Sequence, residues 1–285
     1  MSYQEETEKL LIEIEQFLDD EQALYGPFMF TKTVEDKIPA SVKAAPAVDS
    51  TAQQPTKPSK TAEPKSTTEL EQHSSSENQT LLHSKESKEP TLQDLLDSCK
   101  NLEELNELCK NADELRTDLN GTNLVFGVGN PNADLMLIGE APGEQEDKEG
   151  EPFVGAAGQL LNKIMAAIDF KREEVYIANI LKHRPPGNRN PSSEERMRSL
   201  PYLLRQIDLI QPKLILCLGK VSGTTLLGRD DTLKNLRGTF YPFRNTLLTV
   251  TYHPAALLRN PQWKRPVWED VQKVQKKVTE LNAGE

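Results

Sequence analysis

Four short apolar runs constrain this chain more than any other feature. They lie at about 134–139, 175–181, 213–218 and 246–251. Each is of strand length and nearly continuous in apolar residues, the pattern of strands buried on both faces. Stretches with helical apolar spacing separate them, at 156–168, about 192–210 and 220–227. Strand alternating with helix predicts a parallel sheet with helices on both sides. A final amphipathic stretch, 261–282, reads as a closing helix. Cys217 falls inside the third run and reads as inert packing.

The front of the chain is different. Residues 4–22 place Leu10, Leu11, Ile14, Phe17 and Leu18 on one helical face amid acidic residues. Two readings stand side by side: a helix docking on its own domain, and a partner-binding segment within residues 1–30. Residues 31–89 are rich in Lys, Ser, Thr, Pro, Glu and Gln. Such composition buries too little apolar surface to offset chain entropy and predicts a disordered linker. Residues 90–285 read as the folded domain, opening with Leu92, Leu95, Leu96, Cys99, Leu102, Leu105 and Leu108 at the spacing of two short helices.

Charge follows the same division. The formal net charge of −10 sits at the front: residues 1–90 carry 9 basic and 17 acidic side chains, and 91–120 carry 3 and 8. Residues 121–285 carry 22 and 19 and are mildly basic, which permits nucleic-acid binding without arguing for it. No apolar run reaches membrane-spanning length, and the first residues lack a signal-peptide pattern. Three cysteines without close pairing suit a reduced compartment. The expectation is a cytoplasmic, monomeric protein with no membrane contact.

Three loops follow the ends of predicted strands. The first is Gly139–Asp147, GEAPGEQED, continued by Pro152–Leu161, PFVGAAGQLL. It stands between strand and helix, where open α/β sheets place their ligands. Taken alone, an acidic Gly-Pro loop is ordinarily a solvated turn. The second is Asn179–Arg189, NILKHRPPGNR, and the third is Thr251–Pro261, TYHPAALLRNP. In this order and spacing they resemble the family 4 uracil-DNA glycosylases, over roughly residues 95–280.

The resemblance implies a three-layer α/β/α sandwich around a four-stranded parallel sheet, and release of uracil from DNA in base-excision repair. It implies Glu140 and Glu146 as the loop carboxylates and His253 as the residue facing uracil O2. Ala141, Phe153 and Asn179 would bind the base, with Phe153 stacking and Asn179 reading. Leu257 and Leu258 match the segment that enters DNA. Lys182, Arg184, Arg189 and Arg259 lie in these loops and suit phosphate contacts.

The chemistry of these residue types fits the task. A base inside a duplex must be flipped out before its glycosidic bond is reachable, and an apolar wedge can fill the gap. An Asn amide donates to O4 and accepts from N3–H, the complement of uracil and the inverse of cytosine. A His donor at O2 meets the negative charge that bond breakage places on the base. Glu140 or Glu146 can steady the cationic sugar and orient water; the sequence leaves the choice open. A silent binding module that keeps the pocket is the second functional reading.

Five positions depart from the family pattern. The family's iron–sulfur cluster uses four cysteines; the matching positions are Ala112, Leu115, His183 and Ser199. A [4Fe–4S] cluster needs four thiolates, so no cluster and no metal is expected. Ala156 stands where the family commonly has Arg.

Overall fold

The structure, a computed structural model, describes residues 90–284. The expectations for residues 1–30 and 31–89 lie outside the described residues.

The core is a mixed sheet of six strands in the order β1-β3-β2-β4-β6-β5. The four central strands are β2 (Leu135–Gly139), β3 (Tyr176–Asn179), β4 (Leu214–Leu218) and β6 (Thr246–Thr251). They run parallel and match the four apolar runs within two residues at each end. The expected four-stranded sheet is corrected at both edges. Short strands β1 (Val128–Gly129) and β5 (Tyr241–Phe243) add antiparallel to β3 and β6. They escape apolar patterning because they are two and three residues long, contain Gly or Pro, and sit at edges, where Pro is tolerated.

Alternation explains the two faces. Leu135, Leu137, Ile177, Leu214 and Leu216 point into one core, where α4 (Ala156–Ala166) and α9 (Lys264–Ala283) supply Leu160, Leu161, Ile164, Val267, Val271 and Val274. Met136, Ile138, Ala178, Ile215, Cys217 and Val250 point into the other. That side is covered by α5 (Ser193–Ile210), through Leu203, Ile207 and Ile210, and by α6 (Lys220–Leu227), through Leu226. Ser192 and Glu195 form a capping box that starts α5.

A third apolar cluster joins the two front helices, α1 (Leu92–Ser98) and α2 (Leu102–Lys110), to the domain. Leu96, Leu105, Cys109, Ala112 and Leu115 pack there with Phe126 and Tyr202. Three short helices and three 3-10 turns, two of them at Asp113–Leu115 and Pro186–Asn188, complete the elements among the described residues. The loop expected over 139–147 ends in α3 (Glu144–Glu149), and α7 (Leu233–Leu236) precedes β5. The loop expected after His253 is α8 (Pro254–Arg259), followed by a single 3-10 turn (Pro261–Trp263) before α9.

The third cluster is packed as part of the domain core. Leu105 is fully buried in it. Leu105→Ala is expected to cost ~2–5 kcal/mol, read as a fall in the urea unfolding midpoint at unchanged slope.

Candidate active site

From central β2 the chain runs first to β3 on one side, then crosses to β4 on the other. The crevice beyond the carboxyl ends of such diverging strands is the ligand position of open α/β folds. All three sequence loops leave the sheet at this edge. A cavity of about 350 Å³ opens there, lined by Glu140, Ala141, Glu146, Phe153, Asn179, Arg189, His253 and Arg259 among others. Pro185, Asn188 and Ala255 also line it; the motif reading did not single these out.

Register builds the base of the cavity. Gly139, the last residue of β2, pairs with Asn179, the last of β3. A Cβ on Gly139 would lie 2.3 Å from Asn179 Oδ1 and 2.6 Å from Phe153 Cζ. Only glycine lets both side chains close over the strand end. Asn179 is 1% exposed, and its Oδ1 has no hydrogen-bond partner among the described residues. A buried acceptor left unpaired costs ~1–3 kcal/mol, and Asn179 lines the cavity. Its main chain is held from behind: Lys182 Nζ donates to Asn179 O at 3.2 Å and to Phe126 O at 3.1 Å, and also to Gln206 Oε1.

Phe153 is buried and adopts φ +54, a left-handed conformation costing a non-glycine residue about 1–3 kcal/mol. Its ring stacks on the His253 imidazole, with centroids 5.5 Å apart and planes inclined by 30°. His253 caps α8: its Nδ1 accepts the Ala255 N–H at 3.1 Å. In the neutral ring the proton therefore resides on Nε2, the nitrogen left free to act as a donor. Burial, with help from the Arg259 charge, pushes the His253 pKa down to about 4. The end of β6 is fixed as well. Thr251 Oγ1 donates to buried Asp270 at 2.8 Å, which Arg237 grips at 3.0 Å through each oxygen.

The two loop carboxylates differ. Glu146 Oε1 accepts the Val154 and Gly155 amides, each at 3.0 Å, and Oε2 accepts the Gly143 amide at 3.1 Å. Both oxygens are engaged in holding the Gly143 turn to the Val154–Gly155 segment. Glu140 receives no hydrogen bond on its carboxylate from any described residue, and burial raises its pKa above the ordinary value.

The expected DNA contacts separate likewise. Leu257 is 1% exposed and belongs to the core, so it cannot be the wedge without leaving that core; Leu258 is half-buried beside it. Arg189 is gripped by Glu195 at 2.8 Å through both terminal nitrogens and reaches Asp118 at 3.3 Å. Arg184 bonds Asn188 Oδ1 at 2.7 Å and lies 3.6 Å from Glu144. Arg259 is exposed at the cavity mouth.

A family model for the uracil DNA glycosylase superfamily matches residues 126–272, just over half of the chain. The chain belongs to the uracil DNA glycosylase superfamily. It is 42% identical over 161 residues to a type-4 uracil-DNA glycosylase of Archaeoglobus fulgidus, spanning 54% of this chain and 81% of that one. It is 40% identical over 159 residues to a type-4 uracil-DNA glycosylase of Thermotoga maritima, spanning 54% and 83%. A type-4 enzyme of Sulfurisphaera tokodaii is 43% identical over 162 residues, spanning 54% and 74%.

The four positions expected to match the family's cluster cysteines all have partners inside the fold. Ala112 and Leu115 lie in the third apolar cluster. His183 Nδ1 pairs with Thr122 Oγ1 at 3.0 Å, and Ser199 donates to Ile180 O at 2.6 Å. Burial pushes the pKa of nearby Cys109 up to about 12. No group of three or more His, Cys, Asp or Glu suited to a metal occurs among the described residues. Nor is any helix among them long and apolar enough to cross a membrane.

The depressed His253 pKa has a thermodynamic signature. Between about 6.5, the unfolded value, and about 4, the folded value, the unfolded chain binds the extra proton. Stability is therefore expected to fall as pH drops through that window, and this residue contributes nothing above it. At ~1.4 kcal/mol per unit the full loss is ~3 kcal/mol. Urea unfolding at pH 7, 5.5 and 4.5 checks this: His253→Asn should have a shallower acid slope than the parent.

Proposed function

We propose that this protein hydrolyses the N-glycosidic bond of deoxyuridine in DNA, releasing uracil and leaving an abasic site for base-excision repair. The observation that carries the reading is the unpartnered Asn179 Oδ1 at the base of a cavity that also holds the Nε2 face of a neutral histidine. An extruded uracil stacks on Phe153, a contact worth ~1–3 kcal/mol. Its N3–H donates to Asn179 Oδ1, and its O4 accepts from the Asn179 amide. Cytosine offers an acceptor at N3 and a donor at N4, leaving two like-sided pairs. Ala141 adds a small wall beside the base.

As the C1′–N1 bond breaks, its electron pair passes to uracil and the sugar becomes oxocarbenium-like. His253 donates from Nε2 to O2, where the negative charge grows; one such donor contributes ~10²–10³ in rate. Glu140 is the carboxylate assigned to the sugar and the water: it steadies C1′ and accepts the proton as water oxygen bonds there. Its raised pKa gives the reaction an acid limb, with activity falling as Glu140 protonates. Leu258 is the residue assigned to the gap in the duplex, with Arg259 and Arg184 on phosphates. The reading further places catalysis in residues 90–285 of a monomer, with residues 1–30 free for a protein partner.

The direct test is incubation with a uracil-containing oligonucleotide in EDTA, followed by alkaline cleavage of abasic sites. Product formation is expected, from protein that is colourless and free of iron. No abasic product at enzyme excess would leave a binding module as the function, and near-stoichiometric iron and sulfide would overturn the cluster-free reading.

Asn179→Asp tests the reader. A carboxylate cannot donate to O4 and repels it, so uracil excision should fall by ~10²-fold or more. Parental activity in this variant would remove Asn179 from the recognition role.

A further inference from the structure

We propose that Arg172 is a positioning residue that sets the stacking platform for the base, acting through the backbone of Phe153. The inference rests on the glycosylase reading above. Arg172 lies between α4 and β3 and does not line the cavity. Its guanidinium nevertheless spans two successive carbonyls of the platform segment: Nη2 donates to Pro152 O at 2.6 Å, and Nη1 to Phe153 O at 3.2 Å. Nη1 also reaches Asn162 Oδ1 at 3.2 Å, which ties the fork to α4.

The segment it holds is the strained one. Phe153 sits at φ +54, so the ring's placement depends on contacts that enforce this conformation. They come from both sides of the residue. The preceding and own carbonyls point to Arg172, while the next two amides, of Val154 and Gly155, point to Glu146 at 3.0 Å each. A cation thus holds the carbonyls and an anion the amides. Gly158 permits the close approach beneath, since a Cβ there would lie 1.9 Å from Phe153 O. A planar fork with fixed donors suits two carbonyls; an ammonium does not reproduce that geometry.

The consequence is specific to the chemical step. Without the fork, Phe153 can relax from its left-handed conformation, and the ring leaves both His253 and the base. The DNA-facing residues Arg184, Leu258 and Arg259 are untouched by Arg172. A misplaced platform therefore lowers the excision rate and the binding of free uracil while sparing affinity for DNA that already carries an abasic site.

Single-turnover excision, inhibition by free uracil, abasic-DNA affinity and thermal unfolding are measured for the parent, Arg172→Ala and Arg172→Lys. Arg172→Ala should lose ~10²-fold in rate, the scale of a displacement near 1 Å, with weaker uracil inhibition and unchanged abasic-DNA affinity. Added guanidinium ion should restore part of that rate, and Arg172→Lys should fold like the parent yet remain slow. An active parent matched in rate by Arg172→Ala overturns this inference alone. So does Arg172→Lys with full activity, because charge and bulk would then suffice. If Arg172→Ala does not fold, Arg172→Lys decides: folded and slow supports the proposal, folded and fast overturns it. A parent with no excision overturns the glycosylase reading and this inference with it.

Discussion

The site depends on the close approach of two strands and a loop at Gly139. Because this residue has no side chain, the Asn179 amide and the Phe153 ring can both rest against the end of β2. The approach is fixed by the parallel register, which pairs Gly139 with Asn179, and extended by the amides of Ile180 and Leu181, which donate to the carbonyls of Gly139 and Glu140 at 3.1 Å. Register is strongly specified here because both sheet faces are buried, and a one-residue slip would turn Leu137 and Ile138 into the wrong layers. The packed core thus places the Asn179 amide at the base of the cavity.

The two carboxylates illustrate how one motif divides its labour. They lie six residues apart in an acidic loop, and composition makes them equivalent. Folding separates them. The turn at Gly143 starts α3 with Glu146 facing back over it, where three amides converge on its oxygens; an anion surrounded by N–H donors is stable as a structural pin. Glu140 stays at the strand end, half-buried beneath the cavity, without donors to satisfy it. The proposed assignment of Glu140 to the sugar and the water follows from this difference.

Much of this was legible in the sequence, and the parts that were not have physical causes. The four central strands could be read because burial on both faces leaves a continuous apolar run. Asn179, Phe153 and His253 were legible through the resemblance of their loops to a known family, and all three line one cavity. Leu257 and Leu258 could not be told apart while their segment read as a loop. In a helix of 3.6 residues per turn, neighbouring side chains diverge by about 100°, so one leucine enters the core and the next does not. The available signal was His253-Pro254, since proline favours the first helical position. Arg172 left no local trace, because its role exists only where a distant backbone segment turns two carbonyls toward it.

The segment before β1 is tied closely to the loop after β3. In this chain the two are bound by hydrogen bonds: Val125 N to Lys182 O at 2.8 Å, Thr117 Oγ1 to Arg184 O at 2.6 Å, and the Thr122–His183 pair. Lys182, fully buried and lowered to about 8 by that burial, still carries its charge at neutral pH and spreads it over three acceptors. One of those acceptors is the carbonyl of Asn179. Apolar packing of Leu105, Leu115 and Tyr202 excludes water from around this network, and a hydrogen bond in such surroundings is stronger than one in solvent. The network therefore reaches Asn179 directly, linking the packing of the front helices to the position of the residue proposed to read the base.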